Sequence, residues 1–342
     1  MRGLLLFGFA VAVALTSLGC RGGVIPETEV PTTLPIPVAT PLARLKYKRD
    51  AELEKQFAEI AKAAGGKVGV AAVVLETGEA AFLNEDGRYP MQSVYKLPIA
   101  MAVMEQVRLD KLDLDEKVGV TKEDFVRAGM RSPLRDKNPN GGEFTIRELI
   151  RLSLVESDGT ASDVLLRLVP PVEVQSYLTQ IGIRDIKVVN TEKEIGKDWQ
   201  TQYENWSTPV AAAELLRWFQ VSRTADAAKL DERTDIDEFC LTGYNLIFCD
   251  MNRSMTGRKR IKSLALEVKP GLGRPWIADK TGTGGTQNGI TGATNDIGIV
   301  YMPNGKHLAI AVFVSDSPAD EKTREAVIAR IAKAAWDKWS KN

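Results

Sequence analysis

One histidine, His307, and three cysteines, Cys20, Cys240 and Cys249, are all that the 342-residue chain offers of those residue types. A zinc site built from His and Cys ligands therefore lacks donors, and any Ser-His-Asp triad would have to use His307. That residue follows the hairpin signal Asn304-Gly305 at the start of an apolar strand, where an exposed strand end is expected. Net charge is missing as well: 45 basic side chains balance 45 acidic ones, with no block of five or more like charges. Counterion release from a phosphate backbone thus has nothing to act through, and a nucleic-acid partner is not expected. What the chain does have is 44% apolar residues over a length that suits one large domain or two ordinary ones, enough to bury a core without staples.

The apolar run Leu4 to Leu15, behind Arg2, is shorter than the ~20 residues of a membrane-spanning helix and reads as an export signal over residues 1–19. Gly19-Cys20 resembles a bacterial lipobox, with Ser17 where that motif usually carries Leu, which implies lipidation of Cys20; plain secretory cleavage is the alternative. Pro26, Pro31, Pro35 and Pro37 then forbid a helix, so residues 20–41 read as a Pro-rich tether. From Asp50, Leu53, Phe57, Ile60 and Ala64 recur at helical spacing until Gly65-Gly66. Lys67–Leu75 and Ala80–Leu83 read as strands, as do Ile277–Lys280, Asn295–Tyr301 and Leu308–Val314, and a last helix is expected from Ser317-Pro318. Between them the periods are helical, for example behind the capping box Thr145-Ile146-Arg147-Glu148. The expected fold is of the α/β (α+β) class: an antiparallel sheet built from both chain ends, with the terminal helices packed on it, plus an inserted all-α subdomain. Residues 42–342 form the folded domain, the sheet part about 42–90 and 267–342, the helical part about 91–266.

A nucleophilic serine without histidine needs another base, and a desolvated lysine can serve. Among fourteen serines only Ser93 is followed three positions later by lysine, in Ser93-Val94-Tyr95-Lys96. Positions i and i+3 share a helix face, and a helix start favours developing negative charge. Ser157-Asp158-Gly159 follows between two helices, and Lys280-Thr281-Gly282 lies in a strand. In order and spacing these three elements resemble the signatures of the serine β-lactamase and penicillin-binding superfamily.

Within that superfamily the chain resembles the class A β-lactamases. Asn190-Thr191-Glu192-Lys193 stands where class A enzymes carry a deacylating glutamate on a loop, and Gln202-Tyr203-Glu204-Asn205-Trp206 resembles the PER-type extended-spectrum branch. Register from Ser207-Thr208-Pro209 favours Glu192 over its neighbour Glu194. The resemblance implies a β-lactamase/transpeptidase-like fold and hydrolysis of penicillins and cephalosporins. Ser93 would be the nucleophile, Lys96 and Glu192 bases, and Ser157 and Lys280 a proton path to the leaving nitrogen. Arg260, with Thr281, Gly282 and Thr283, would receive the substrate carboxylate, Arg258 and Lys259 being solvated neighbours. The backbone N–H groups of Ser93 and Thr283 would form the oxyanion hole.

Three departures stand out. Gly159 replaces a usual asparagine, Gly196 stands where an asparagine often helps hold water, and Asn190 and Asn205 occupy the ends of a usual ion pair. Gln92 and Gly284 leave no disulfide beside the nucleophile. A DD-peptidase or slow penicillin-binding protein, and a non-hydrolysing β-lactam-binding lipoprotein, are the rival readings. No cofactor or metal is implied. The expected partner is a small β-lactam, the protein a monomer that meets the membrane through a lipid anchor at Cys20, in the periplasm or cell envelope. Cys240 and Cys249 are expected as free thiols, because a helix starting near Thr242 would set Cys249 about 10 Å along it at 1.5 Å per residue. The segment Thr224 to Leu241 reads as a charged insertion without assigned role.

Overall fold

The structure, a computed structural model, describes residues 39–230, 234–266 and 276–341. The export signal, the Pro-rich tether up to residue 38 and Cys20 lie outside the described residues. In chain order the first part holds β1 (Lys48–Arg49), α1 (Ala51–Ala61), β2 (Lys67–Val74), β3 (Glu79–Leu83) and β4 (Tyr89–Pro90). The middle holds α2 (Lys96–Arg108), β5 (Lys117–Val120), α3 (Pro133–Lys137), β6 (Gly142–Thr145), α4 (Ile146–Val155), α5 (Gly159–Leu168), α6 (Pro171–Gln180), α7 (Glu192–Ile195), β7 (Trp206–Ser207), α8 (Pro209–Ala227), α9 (Ile236–Leu241) and α10 (Tyr244–Arg253). The chain ends with β8 (Ile277–Thr283), β9 (Thr286–Gln287), β10 (Ile290–Tyr301), β11 (His307–Ser317) and α11 (Glu321–Trp339).

The sheet runs β1-β3-β2-β11-β10-β8, with β9 added beside β10. Strands from the two chain ends meet where β2 pairs antiparallel with β11, Val68 opposite Val314 and Val74 opposite Leu308. All larger pairings are antiparallel, and only the two-residue β1 runs parallel to β3. β2 is buried on both faces rather than alternating. Val68, Val70 and Ala72 pack with Leu53, Phe57 and Ile60 of α1 and Ile328 and Ile331 of α11. Ala71 and Val73 face Phe82 and Ala213 on the other side. The terminal helices therefore cover one face and the helical region the other.

Local signals set the element ends. Asp50 caps α1 by accepting from Leu53 N at 3.0 Å. The Thr145–Glu148 capping box closes reciprocally on α4, at 3.2 and 2.8 Å. The last helix begins later than expected, at Glu321 behind its cap Asp320, because Ser317 still belongs to β11 and spends its hydroxyl on Ala64 O. The inserted region is mostly helical, yet β5 and β6 form a two-stranded ribbon within it and β4 pairs with β7.

The two cysteines are joined, which corrects the free-thiol expectation: Cys240 and Cys249 form a disulfide with their Cα atoms 5.7 Å apart. The cause is Gly243, whose φ of +49° reverses the chain between α9 and α10 and returns Cys240 to the second turn of α10. A Cβ at that position would meet the Asp226 carboxylate at 2.3 Å, and Asp226 itself accepts from Tyr244 N at 3.0 Å. The described residues of Thr224 to Leu241 are the end of α8 and a short helix, α9, stapled to α10. A loop of this length, 9 residues of separation, contributes about 3 kcal/mol in the chain-entropy view. Thiol counting on denatured, unreduced protein spanning residues 38–342 should give zero, and reduction should lower its Tm by several degrees. A count of two would remove the bridge.

Candidate active site

The three motifs converge at the β8 edge of the sheet, around a cleft of about 1000 Å³ that Ser93, Lys96, Ser157, Glu192, Thr281 and Thr283 help to line. Ser93 sits in a 3-10 turn, Gln92–Tyr95, directly ahead of α2 rather than in the helix itself. Gln92 takes φ +48°, and Ser157, between α4 and α5, takes φ +55°. Non-glycine residues in this region are strained, and such strain collects at sites where side-chain aim matters.

Lys96 is fully buried, so its ammonium needs compensating oxygens. It donates to Ser157 O at 2.8 Å, approaches Ser157 Oγ at 3.5 Å, and pairs with Glu192 Oε1 at 2.9 Å. Lys280, also buried, donates to the same Ser157 Oγ at 3.1 Å and to Thr281 O at 3.2 Å. Burial, and then the nearby Lys96 charge, lower the Lys280 pKa to about 7. Ser157 therefore bridges two lysines, one of them poised to exchange a proton near neutrality. Among the described residues, the Ser93 hydroxyl makes no hydrogen bond and faces the cleft.

Glu192 opens α7, and its competitor Glu194 is consumed elsewhere. Glu194 closes a capping box with Thr191, accepting from Thr191 N at 2.8 Å. Asp163, from α5, holds the same turn by accepting from Glu192 N at 2.6 Å and Lys193 N at 3.1 Å. The loop ends are not closed by an Asn–Asn side-chain contact. Instead the buried Asn205 amide binds backbone, accepting from Val189 N and Asn190 N at 2.8 and 2.9 Å and donating to Asn190 O at 2.8 Å. The Asn190 side chain turns to Glu204, 2.7 Å away. Gly196 faces Met130 and Arg127, where a Cβ would lie 2.6 Å from Met130 Sδ. At Gly159 a Cβ would press on Arg131 O and Val126, both at 3.2 Å. Asp158 is structural: it caps α5 and binds Leu134 N at 2.6 Å.

Arg260 does not line the cleft. It is buried behind β8, where it donates to Thr283 Oγ1 at 3.0 Å and Asn295 O at 2.9 Å and pairs with Glu325 at 3.2 Å. Thr283 presents the exposed oxygen, with Arg260 fixing it from behind, while Arg258 and Lys259 are exposed. Gly282 lets β8 pass the nucleophile turn, since a Cβ there would sit 2.3 Å from Met91 O. Asn295 ties that turn to β10 by donating to Pro90 O at 2.7 Å and Met91 O at 3.1 Å. Gln92 donates to Gln202 Oε1 at 2.9 Å. Asp163 and Asn295 escaped the sequence reading, because each acts on backbone and carries no motif of its own. His307 lies at the far end of the sheet: it pairs with Tyr301 while Thr283 pairs with Thr294, about 20 Å away along β10.

A serine three residues ahead of a buried lysine, beside the Ser157–Lys280 pair at the edge of such a sheet, matches the motif set of the penicillin-recognising serine hydrolases. The chain belongs to the beta-lactamase enzyme family, whose model matches residues 52–232 and 251–339. It is 32% identical to beta-lactamase VEB-1 of Pseudomonas aeruginosa over 287 residues, 83% of this chain and 89% of that one. It is 35% identical to the extended-spectrum beta-lactamase PER-1 of the same organism, over 83% of this chain and 86% of the relative. Among solved structures it resembles the TLA-3 extended-spectrum beta-lactamase, with a TM-score of 0.73 at 36% identity, covering 84% of this chain and 98% of that one. A beta-lactamase from Chitinophaga pinensis gives 0.74 at 35% identity, covering 84% and 99%. These likenesses make the chain a class A serine β-lactamase of the PER-like group.

Burial raises the Asp163 carboxyl from 3.8 to about 7, the two N–H donors pulling the other way. Between about pH 4 and 7 the unfolded chain has lost this proton while the folded chain keeps it, so this group's contribution to stability falls as pH rises through that window. Each unit of separation corresponds to roughly 1.4 kcal/mol. The stability difference between the parent and Asp163→Asn should therefore shrink steadily from pH 4 to pH 7.5 in denaturant melts. A constant difference would mean that Asp163 is ionised throughout.

Proposed function

We propose that the protein hydrolyses the amide bond of penicillins and cephalosporins through an acyl-enzyme on Ser93. The observation that carries this reading is Lys96 Nζ, held between Ser157 and Glu192 inside the cleft that Ser93 lines. In acylation, Ser93 Oγ attacks the lactam carbonyl and gives up its proton to Glu192 through a water, or to Lys96 once Lys96 has passed its own proton to Glu192. The backbone N–H groups of Ser93 and Thr283 receive the developing oxyanion. Ser157 passes a proton to the leaving nitrogen as the C–N bond breaks, and Lys280, with its pKa near neutrality, replenishes it. The path through Lys96 and Ser157 returns the acylation proton to Lys280 and leaves Glu192 ionised; Glu192 then removes a proton from water, the hydroxide adds to the acyl carbon, and Ser93 leaves with that proton.

Thr281, Gly282 and Thr283 form the wall that receives the substrate carboxylate, with Arg260 supporting Thr283 from behind. The site chemistry calls on no cofactor. We also read the chain as exported, tethered through a lipid on Cys20 and monomeric; fractionation of cells carrying the full chain, beside Cys20→Ala, tests the tether.

Two predictions separate the steps. Ser93→Ala should abolish covalent labelling by penicillin, whereas Glu192→Gln should keep labelling and trap the adduct, slowing release by ~100-fold or more if Glu192 is the general base. Intact-mass spectrometry reads both, and rapid turnover by the Glu192 variant would move the base elsewhere. A long-lived adduct in the parent would instead mark a DD-peptidase or slow penicillin-binding protein, and no labelling at all a binding protein. Arg260→Ala withdraws the donor that fixes Thr283 Oγ1 from behind, so KM should rise about tenfold, while Arg258→Ala changes little. Equal effects would show that substrate is read from the exposed side.

A further inference from the structure

The missing side chain of Gly196 makes room for a cation. A Cβ there would sit 2.6 Å from Met130 Sδ and 3.2 Å from Arg127 Nε, so the Arg127 side chain rests against the loop backbone. Arg127, Met130, Gly196 and Lys197 all line the cleft that holds Ser93. This end of the cleft is made by two chain segments, the one between β5 and α3 and the one that follows α7. Neither belongs to β8, whose threonines receive the ring carboxylate on the reading above.

The charges at this end do not cancel. Of the cations on the two segments and in α7, Arg131 is paired with Glu156 at 3.1 Å, Arg135 with Asp136 at 2.7 Å, and Lys193 donates to the Glu123 carbonyl. Arg127 and Lys197 are exposed, and among the described residues their side chains make no hydrogen bond and no ion pair. Asp198, the acid next to Lys197, is turned to its own loop. It accepts from Gln200 N at 2.8 Å, Thr201 N at 2.9 Å and Thr201 Oγ1 at 2.8 Å. Glu192 is held by Lys96 at 2.9 Å. Two cations from different segments are thus left facing one end of a cleft whose acids are already engaged.

The chemistry of a β-lactam determines what reaches them. Its ring carboxylate hangs beside the lactam nitrogen, and its acylamino side chain is borne by the carbon next to the carbonyl. The two substituents therefore leave the scissile amide in opposite directions. With the carbonyl at Ser93 and the ring carboxylate on Thr281 and Thr283, the side chain is directed toward the loop behind Glu192 and the 127–130 segment that faces it. We propose that this end of the cleft selects β-lactams whose acylamino side chain carries a second carboxylate, with Arg127 as its hydrogen-bonding fork and Lys197 as a neighbouring point charge. Met130 offers an apolar contact to the hydrocarbon part of the same side chain. The inference deepens the β-lactam-hydrolysing reading and rests on it, and it gives Gly196 a purpose, that of letting Arg127 lie across the loop.

A matched pair of cephalosporins isolates the second carboxylate: two compounds identical except at the oxime of the acylamino side chain, one a free oxime and the other its carboxymethyl ether. In steady-state hydrolysis by the full chain at low salt, kcat/KM should favour the ether about fivefold, through KM. Arg127→Gln should bring that ratio to about one, and Lys197→Gln should roughly halve it. The parent's ratio should also fall in 1 M salt, where the screening length is about 3 Å; this arm needs no variant. A parent ratio of one or below, a ratio that both substitutions leave in place, or one that salt does not change would overturn the proposal. Turnover of neither compound would instead overturn the hydrolytic reading. The ratio of their affinities in calorimetry would then carry the same comparison, so the two failures are distinguishable.

Discussion

Two ammonium groups stripped of water and brought to one hydroxyl set the terms for everything around this site. Lys96 and Lys280 are both buried and both reach Ser157, and their mutual repulsion adds to the cost of desolvation. The protein meets that cost with oxygens: Ser157 O and Thr281 O from the backbone, Ser157 Oγ between the two, and the Glu192 carboxylate on the open side. Removing any of them would leave one buried ammonium with fewer oxygens to offset its desolvation. The positive φ at Ser157 follows from the same need, since one residue presents both its carbonyl and its hydroxyl to Lys96.

The frame that delivers those oxygens is built from ordinary capping and pairing. Asp158 starts α5 and at the same time anchors the 132–134 segment, so the turn carrying Ser157 is tied on two sides. Five residues further along, in α5, Asp163 reaches α7 and sets the backbone of Glu192. Asn295 and the missing side chain of Gly282 fix the distance between the nucleophile turn and β8. One short helix and one strand thereby place acid, base and nucleophile relative to one another.

Much of this was legible in the chain. Alternation and helical spacing located the main strands and the terminal helices because burial of apolar faces is periodic and local. The three motifs were legible because their chemistry demands particular residue types at fixed spacing. Glu192 could be separated from Glu194 by register, and the structure places the former on Lys96 and the latter in a cap. The disulfide was missed for want of one inference, that Gly243 reverses the chain and makes two short helices antiparallel neighbours. Arg260 was assigned to the right end of the site but the wrong depth, since nothing in Arg258-Lys259-Arg260 shows which cation a strand will cover. Asn205 was placed at the loop end by register, but its main-chain partners, like those of Asp163, are brought close by tertiary folding, which no local pattern reports.

The clamp at Asn205 carries a consequence of its own. An ion pair closing a loop is weakened by dissolved electrolyte and lost when its acid is protonated. The amide of Asn205 holds the loop through three uncharged hydrogen bonds in a buried position, so neither condition loosens it. The loop bearing Glu192 is thereby insulated from the ionic composition of the medium at the point where its two ends meet. What remains responsive to the surroundings is the chemistry at its tip.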